Sequence, residues 1–288
     1  NCVDYYNMSL SSENKTNILN AYNGLRNFVA SGGYINETHF NFPEASGMNM
    51  LRWKDELSII AQKWADQCLL NEKHDECRDI QDYSVGQNVY IVEVDSKSEI
   101  PLFSEIYKKR WARVMKNLNL RDLIEFNISA STGFKSFSQS IWDTTQYIGC
   151  GASLFRNTQQ DNESQMRTFR FVCNFGPKGN IPNVASYKIG QPCTECSEHV
   201  CHSKYHNLCG SKENKISDIP TNHMGKLFEH VSGTWDWKTK LMSKRIYPKK
   251  MPGIWFNGEC RCNYIYRSKG MTSSYNYYYI ILVLWTII

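Results

Sequence analysis

The residues of this chain best able to do chemistry are its 11 cysteines and 7 histidines. Four cysteines crowd together as Cys193, Cys196, Cys201 and Cys209, spaced C-x2-C-x4-C-x7-C, and Cys260 and Cys262 follow. Such clusters pair as disulfides in an oxidising compartment or hold zinc inside the cell. His199, His202 and His206 lie among them and would serve the zinc reading. Five Asn-x-Ser/Thr sequons, at Asn7, Asn14, Asn36, Asn127 and Asn162, tilt the reading toward secretion, glycosylation and disulfides. His74, in His74-Asp75-Glu76-Cys77, stands beside carboxylates that could share a metal, although a loop histidine in that company is ordinarily just solvated.

The bulk numbers narrow the classes. A length of 288 residues suits one sizeable domain with an appendage, or two modest domains. A hydrophobic fraction of 41% with 8 Trp, 17 Tyr and 13 Phe supplies a packed core and excludes disorder throughout. The net charge of +5 mainly favours solubility. No Lys/Arg block dense enough to grip phosphates stands out, so nucleic acid is not an expected partner. The chain opens at Asn1 without a charged-then-apolar leader, which reads as a signal peptide already removed or as a fragment.

Elements must position these residues. Ile18, Tyr22, Leu25 and Val29 fall on one face of a helix over Asn17 to Ser31, stopped by Gly32-Gly33. Leu57, Ile60, Ala61, Trp64, Ala65 and Cys68 form the apolar stripe of a second helix over Lys54 to Cys68. Val89 to Val94 reads as a strand, Phe103, Tyr107, Trp111, Val114 and Leu118 as a third helix, and Phe137 to Trp142 as a short fourth. Phe169, Phe171, Cys173 and Phe175 then alternate with Thr168, Arg170, Val172 and Asn174, the pattern of a strand buried on one face. Gln146 to Ser153 reads as its neighbour. This mixture, with strands late, predicts α+β layers. Pro and Gly between residues 177 and 192 mark a boundary near 180, and Gly210 to Gly270 reads as a loose, Lys-rich extension anchored by Cys260 and Cys262.

Three stretches carry a family resemblance. Cys173-Asn174-Phe175-Gly176-Pro177-Lys178-Gly179-Asn180 is similar to the C-Y/N-Y-x-P-x-G-N signature of CAP domains. Ser136-Phe137-Ser138-Gln139-Ser140-Ile141-Trp142, running on to Ile148-Gly149-Cys150-Gly151, resembles that family's G-H-F-T-Q-x-x-W…G-C-G segment. Leu51-Arg52-Trp53-Lys54-Asp55-Glu56-Leu57 through Ala61, Trp64, Ala65 and Cys68, then Gly86-Gln87-Asn88, resembles its second helix and G-E/Q-N strand. Venom allergen 5 and its salivary relatives look most similar, through Trp64 to Cys68 and Cys77-Arg78-Asp79. The resemblance implies an α-β-α sandwich over residues 15–182, after an N-terminal arm at 1–14. A cysteine-rich hinge at 183–210 and an irregular extension with an apolar tail at 211–288 follow.

Many CAP domains hold two His and two acidic residues in a cleft, a set able to bind zinc. Carried over by the resemblance, those positions fall on Tyr22, Gln87, Val114 and Ser136. None is an ordinary zinc ligand, and none is a general base of suitable pKa. The resemblance therefore implies a degenerate cleft with no metal, no cofactor and no catalytic residue. The alternative, a zinc-dependent hydrolase with an altered site, would lean on Tyr22 and an unassisted Ser136 hydroxyl, a weak nucleophile.

The resemblance also implies pairing of Cys150 with Cys173, of Cys193 with Cys201 and of Cys196 with Cys209. Cys2, Cys68, Cys77, Cys260 and Cys262 remain, an odd number. Cys68 and Cys77 can pair with each other, or one can take Cys2. The tail from Tyr275 to Ile288 is 14 residues, short of the ~20 needed to span a bilayer as a helix. It is readable as a lipid-anchor signal with Gly270 or Ser273 as attachment site, the one route to a membrane, or more plainly as a β-prone or exposed end.

The function expected is that of a secreted, non-catalytic binding protein of the venom allergen 5 kind. By resemblance, its ligand would be a fatty acid or sterol, or its partner an extracellular host or prey protein. The stripes Tyr22/Leu25/Val29 and Phe103/Tyr107/Trp111 could line a groove for such a ligand, although helical stripes are more often core. A third class, the channel-modulating cysteine-rich secretory proteins, would require a dense cysteine module after the hinge, where only Cys260 and Cys262 stand.

Overall fold

The computed structural model describes residues 2–95, 103–157, 166–197 and 200–210, together with the backbone of 254–256 and 259–261. Its centre is a sheet in the order β1 (Cys2–Asn7), β6 (Tyr147–Asn157), β7 (Met166–Gly176), β5 (Gly86–Asp95). These pairings are antiparallel, and the short β4 (Arg52–Trp53) runs parallel to the start of β6. Two small hairpins complete the strands, β2 (Tyr34–Ile35) with β3 (Phe40–Asn41), and β8 (Ile254–Phe256) with β9 (Glu259–Arg261). The helices are α1 (Ser12–Ala30), α2 (Asp55–Ala65), α3 (Phe103–Met115), α4 (Leu120–Ile124) and α5 (Thr132–Ile141).

The sheet has two differently built faces. On one lies α2, drawn in by Ala61 and Ala65 against Val89 and Val172. It approaches so closely that β6 must lack side chains beneath it. A Cβ on Gly149 would stand 2.3 Å from the Ser58 nitrogen, and one on Gly151 would stand 2.3 Å from Gln62 Cα. Polar groups of α2 then act as an extra strand. Gln62 donates Nε2–H to the Ala152 carbonyl at 2.8 Å and accepts the Ala152 N–H at 3.0 Å, and Ser58 donates to the Cys150 carbonyl at 2.6 Å. On the other face Phe169, Phe171 and Phe175 join Tyr22, Tyr107, Trp111 and Phe137, from α1, α3 and α5, in the main core.

Strand β7 is buried on both faces, where its alternation predicted one. The polar set from Thr168 to Asn174 is covered by α2 and the chain after it, where Arg170 and Asn174 find partners. Arg170 donates to the carbonyls of Leu69 and Asn71 at 2.7 and 2.6 Å, and Asn174 donates to Leu57 at 3.2 Å. Alternation reports polarity; burial also depends on whether backbone acceptors wait overhead.

Helix α1 starts at Ser12, five residues ahead of the expected Asn17, because the Ser11 hydroxyl accepts the Asn14 N–H and caps the first turn. The N-terminal arm comes before it. It forms β1 on the edge of the sheet, with Asp4 ion-paired to Arg156 at 2.8 Å. From the middle of α1, fully buried Arg26 donates to the carbonyls of Asn49, Ser140, Trp142, Asp143 and Thr145 at 2.8–3.3 Å. That guanidinium satisfies the carbonyls where α5 ends and turns into β6.

The segment after residue 182 docks on the domain. Leu208 is fully buried in the main core, and Cys209 donates its N–H to Met48 and accepts one from Met50. The remainder of the expected extension, including Cys262 and the tail 275–288, lies outside the described residues. So do Asn162, His199, His223 and His230.

Candidate functional site

Two regions compete for the functional role: the cleft positions, and a groove between α1 and α3. The cleft positions do not meet at one surface. Tyr22 is wholly buried, its ring 4.8 Å from Tyr107, 5.0 Å from Trp111 and 5.5 Å from Phe175. It is a core residue on the face covered by α1 and α3. Gln87 points to the opposite face, where its Oε1 accepts the Asp75 N–H and its Nε2 donates to Asn174 Oδ1, both at 2.8 Å. Val114 is half-buried near the end of α3, against the first turn of α5. Ser136 is buried in α5, and its carbonyl accepts from the Asn88 amide at 2.9 Å.

The structure puts His74 beside this set. Its neighbour Asp75 is the residue hydrogen-bonded to Gln87, so His74 flanks the amide that occupies the acidic position. Crowding by protein, then the charges of Arg78, Arg170 and Lys135, push its imidazole pKa down to about 4. A signal for this placement was present, since His74 opens the stretch ending in Cys77-Arg78-Asp79. Among the described residues no three His, Cys, Asp or Glu side chains gather closely enough to hold a metal ion.

The cysteines staple the sandwich and its hinge. Cys150 and Cys173 face each other across β6 and β7 and are bonded at 2.10 Å. Cys193 is bonded to Cys201 and Cys196 to Cys209. Cys68 and Cys77 are each in a disulfide as well. Of the sequon asparagines, Asn7, Asn36 and Asn127 are exposed, and Asn14 is half-buried in the first turn of α1.

The groove is a cavity of about 640 Å³ lined by residues of α1 and α3, among them Ala21, Gly24, Leu25, Phe28, Lys108 and Trp111. Gly24 sits mid-helix with open space before it, for an added Cβ would meet nothing within 4 Å. At one rim Asn20 is held by the hinge, accepting from Lys204 at 2.7 Å and from the Tyr205 hydroxyl at 2.9 Å. The stripes Tyr22/Leu25/Val29 and Tyr107/Trp111 are core, and only Leu25 and Trp111 among them reach the groove. Sequence reasoning missed Gly24, because an isolated helical glycine carries no signal until its surroundings are known.

A sheet sandwiched between α2 and the trio α1, α3 and α5, closed by a disulfide-bonded hinge, defines an α-β-α sandwich. The chain belongs to the cysteine-rich secretory protein (CAP) family, whose model matches residues 19–175. It is 35% identical over 212 residues to the "CRISP/Allergen/PR-1" protein of Trittame loki, covering 69% of this chain and 48% of that one. It is 32% identical over 203 residues to venom allergen 5 of Tityus serrulatus, covering 70% and 44%. This chain thus spans about half the length of those two relatives. Venom allergen 5 of Dolichovespula arenaria is 35% identical over 180 residues, covering 62% of this chain and 82% of that one. Among solved structures, NaASP2 with Zn2+ superposes with a TM-score of 0.56 at 23% identity, over 73% of this chain and all of that one. BmVAL-1 does so at 0.55 and 25%, over 71% and 97%.

Proposed function

We propose that this chain is an extracellular, non-catalytic binding protein that seats a small hydrophobic ligand, of the size of a fatty acid or sterol, between α1 and α3. Gly24 is the observation that carries this reading. A glycine inside a helix costs ~0.5–1 kcal/mol relative to alanine, through backbone entropy. Gly24 bears that cost where no neighbouring atom requires it, and where any side chain would protrude into the groove. A cleft of several hundred Å³ with apolar walls and a few polar groups suits a small amphiphile. Disulfides and relatives named as venom allergens support an extracellular setting.

The cleft supports no competing chemistry. NaASP2 was solved with Zn2+, but the positions that the family resemblance assigns to a metal here do not suit a cation. The Gln87 amide is consumed by Asp75 and Asn174, Tyr22 is packed among aromatic rings, and Val114 has no donor atom. His74, the imidazole beside them, faces Arg78, Arg170 and Lys135, whose charges repel a metal as they repel a proton. These residues offer no activated nucleophile for hydrolysis. An extracellular protein target remains a second partner, reached by the docked hinge and the exposed loops.

The test is displacement of a fluorescent fatty-acid probe from the full chain. Gly24→Trp should fill the groove and weaken binding at least ~10-fold, since more than 1.4 kcal/mol of apolar contact is lost. Gly24→Ala should bind within about 3-fold of the parent, a single methyl being worth under ~1 kcal/mol. Unchanged binding by Gly24→Trp would remove the groove from consideration.

A further inference from the structure

Helix α3 gathers most of the chain's excess charge. Residues 103–116 hold five cations, Lys108, Lys109, Arg110, Arg113 and Lys116, against one carboxylate, Glu105, in a chain whose net charge is +5. The sequence scatters these cations among apolar residues, and the helix sorts them. Ile106, Tyr107 and Trp111 turn into the core. Lys109 and Arg113 stand exposed one turn apart, and Lys116 stands exposed in the turn that ends the helix. At a rise of ~1.5 Å per residue, Lys109 to Lys116 covers ~10 Å along the axis.

Two of the five are spent within the fold. Lys108 is 3.6 Å from Glu105. Arg110 pairs with Glu72 and donates to the Val89 carbonyl at 3.2 Å. Lys109, Arg113 and Lys116 make no ion pair among the described residues. The helix dipole favours Arg113 and Lys116, which lie at the C-terminal end, but it does not account for Lys109 a turn earlier. Like charges one turn apart repel. Beside them a cavity of about 230 Å³ opens between β5 and α3, lined by Ile91, Val92 and Ile106 and by Lys109, Arg110, Arg113 and Glu105.

The surroundings select among polyanions. A membrane surface would need apolar anchors, and none of the exposed large hydrophobic side chains among the described residues lies on α3. The same lack leaves no aromatic platform on this face for the bases of a single-stranded nucleic acid. β5 is an edge strand, but its Val89 carbonyl is already taken by Arg110, which obstructs an acidic peptide adding as a further strand. A flexible chain of closely spaced anionic groups needs none of these features, only point charges at intervals along a line. In the oxidising setting of the disulfides, a sulfated polysaccharide has that chemistry.

We propose that Lys109, Arg113 and Lys116 form a docking face for a sulfated glycan, one sulfate being held at the cavity between β5 and α3 and the chain running on along the helix. The proposal does not rest on the groove between α1 and α3.

The experiment is calorimetric titration of the full chain with a heparin hexasaccharide at about 0.15 M salt, where exposed charges are screened beyond ~8 Å. The parent should bind, with a log–log salt slope of about −2 to −3 for three neutralised charges. Lys109→Gln/Arg113→Gln/Lys116→Gln should weaken binding at least ~10-fold and flatten the slope, and all three side chains are exposed, so the fold should persist. The single change Lys109→Gln, outside the last turn, should weaken binding ~3-fold. Arg52→Gln/Lys178→Gln/Lys188→Gln, which removes as much charge elsewhere, should bind within about 2-fold of the parent. No binding by the parent, a triple variant that binds like the parent, or an equal loss in the control variant overturns the proposal, the last by assigning the attraction to net charge alone. Poly-glutamate, a DNA duplex or phosphatidylserine vesicles binding as tightly as heparin would overturn it as well, in favour of an acidic protein, a nucleic acid or a membrane.

Discussion

Arg26 carries a guanidinium into the protein interior and spends its donors on five backbone carbonyls. Burial lowers its pKa to about 9, opposed by the charge of Asp143. Arg26→Lys keeps the charge but cannot reach five acceptors from one ammonium, and should destabilise the chain by ~3 kcal/mol in urea denaturation. A loss below ~1 kcal/mol would mean that water can replace the fork. His74 offers a pH test. Its folded pKa of about 4 lies below the ordinary histidine value of 6.5, so the unfolded chain binds the proton more readily. The contribution is fully present above pH 6.5 and is lost as pH falls toward 4. NMR titration should place the ring near 4, and His74→Asn should flatten the fall of the urea midpoint across that window. The chemistry of single residues was the part least legible in the sequence. The family resemblance assigned Tyr22 and Gln87 to one expected cleft, but strand alternation sends Gln87 to the face opposite Tyr22.

At the scale of elements, the contact of α2 with β6 is set by the absence of two side chains. Gly149→Ala would place a methyl 2.3 Å from the Ser58 nitrogen, and a helix held by Ser58 and Gln62 cannot yield without breaking those bonds. Thermal denaturation should show a loss of at least ~2 kcal/mol, within the range for overpacking. Gly24→Ala is the contrary case, a glycine in open space, and should raise stability by ~0.5–1 kcal/mol. The long elements were legible because their apolar periods are unbroken, as in α2 and β7. What was not legible depended on local chemistry. The Ser11 cap moved the start of α1, the Asn119–Asp122 capping box closed the short α4, and β1 became a strand because β6 offered it an edge.

For the whole molecule, the sequence motifs were enough to imply the α-β-α sandwich, because each motif marks a place where that packing tolerates few residues. Gly149, Gly151 and Gly179 lie against α2 or Trp142 with no room for a Cβ. The two stripes raised a groove between α1 and α3 as one reading, but which of their residues line it was not legible, since no pattern along one helix encodes how it stands against another. The proposed binding site is this groove and not a metal-holding cleft. Native mass spectrometry of the full chain, produced by a eukaryotic secretory host and deglycosylated, tests it most directly. An added mass of roughly a few hundred daltons (the size of a small hydrophobe) is expected on the parent chain, absent from Gly24→Trp, with no zinc on either. Stoichiometric zinc that disappears in His74→Ala or Gln87→Ala, with no organic adduct sensitive to Gly24→Trp, would contradict it.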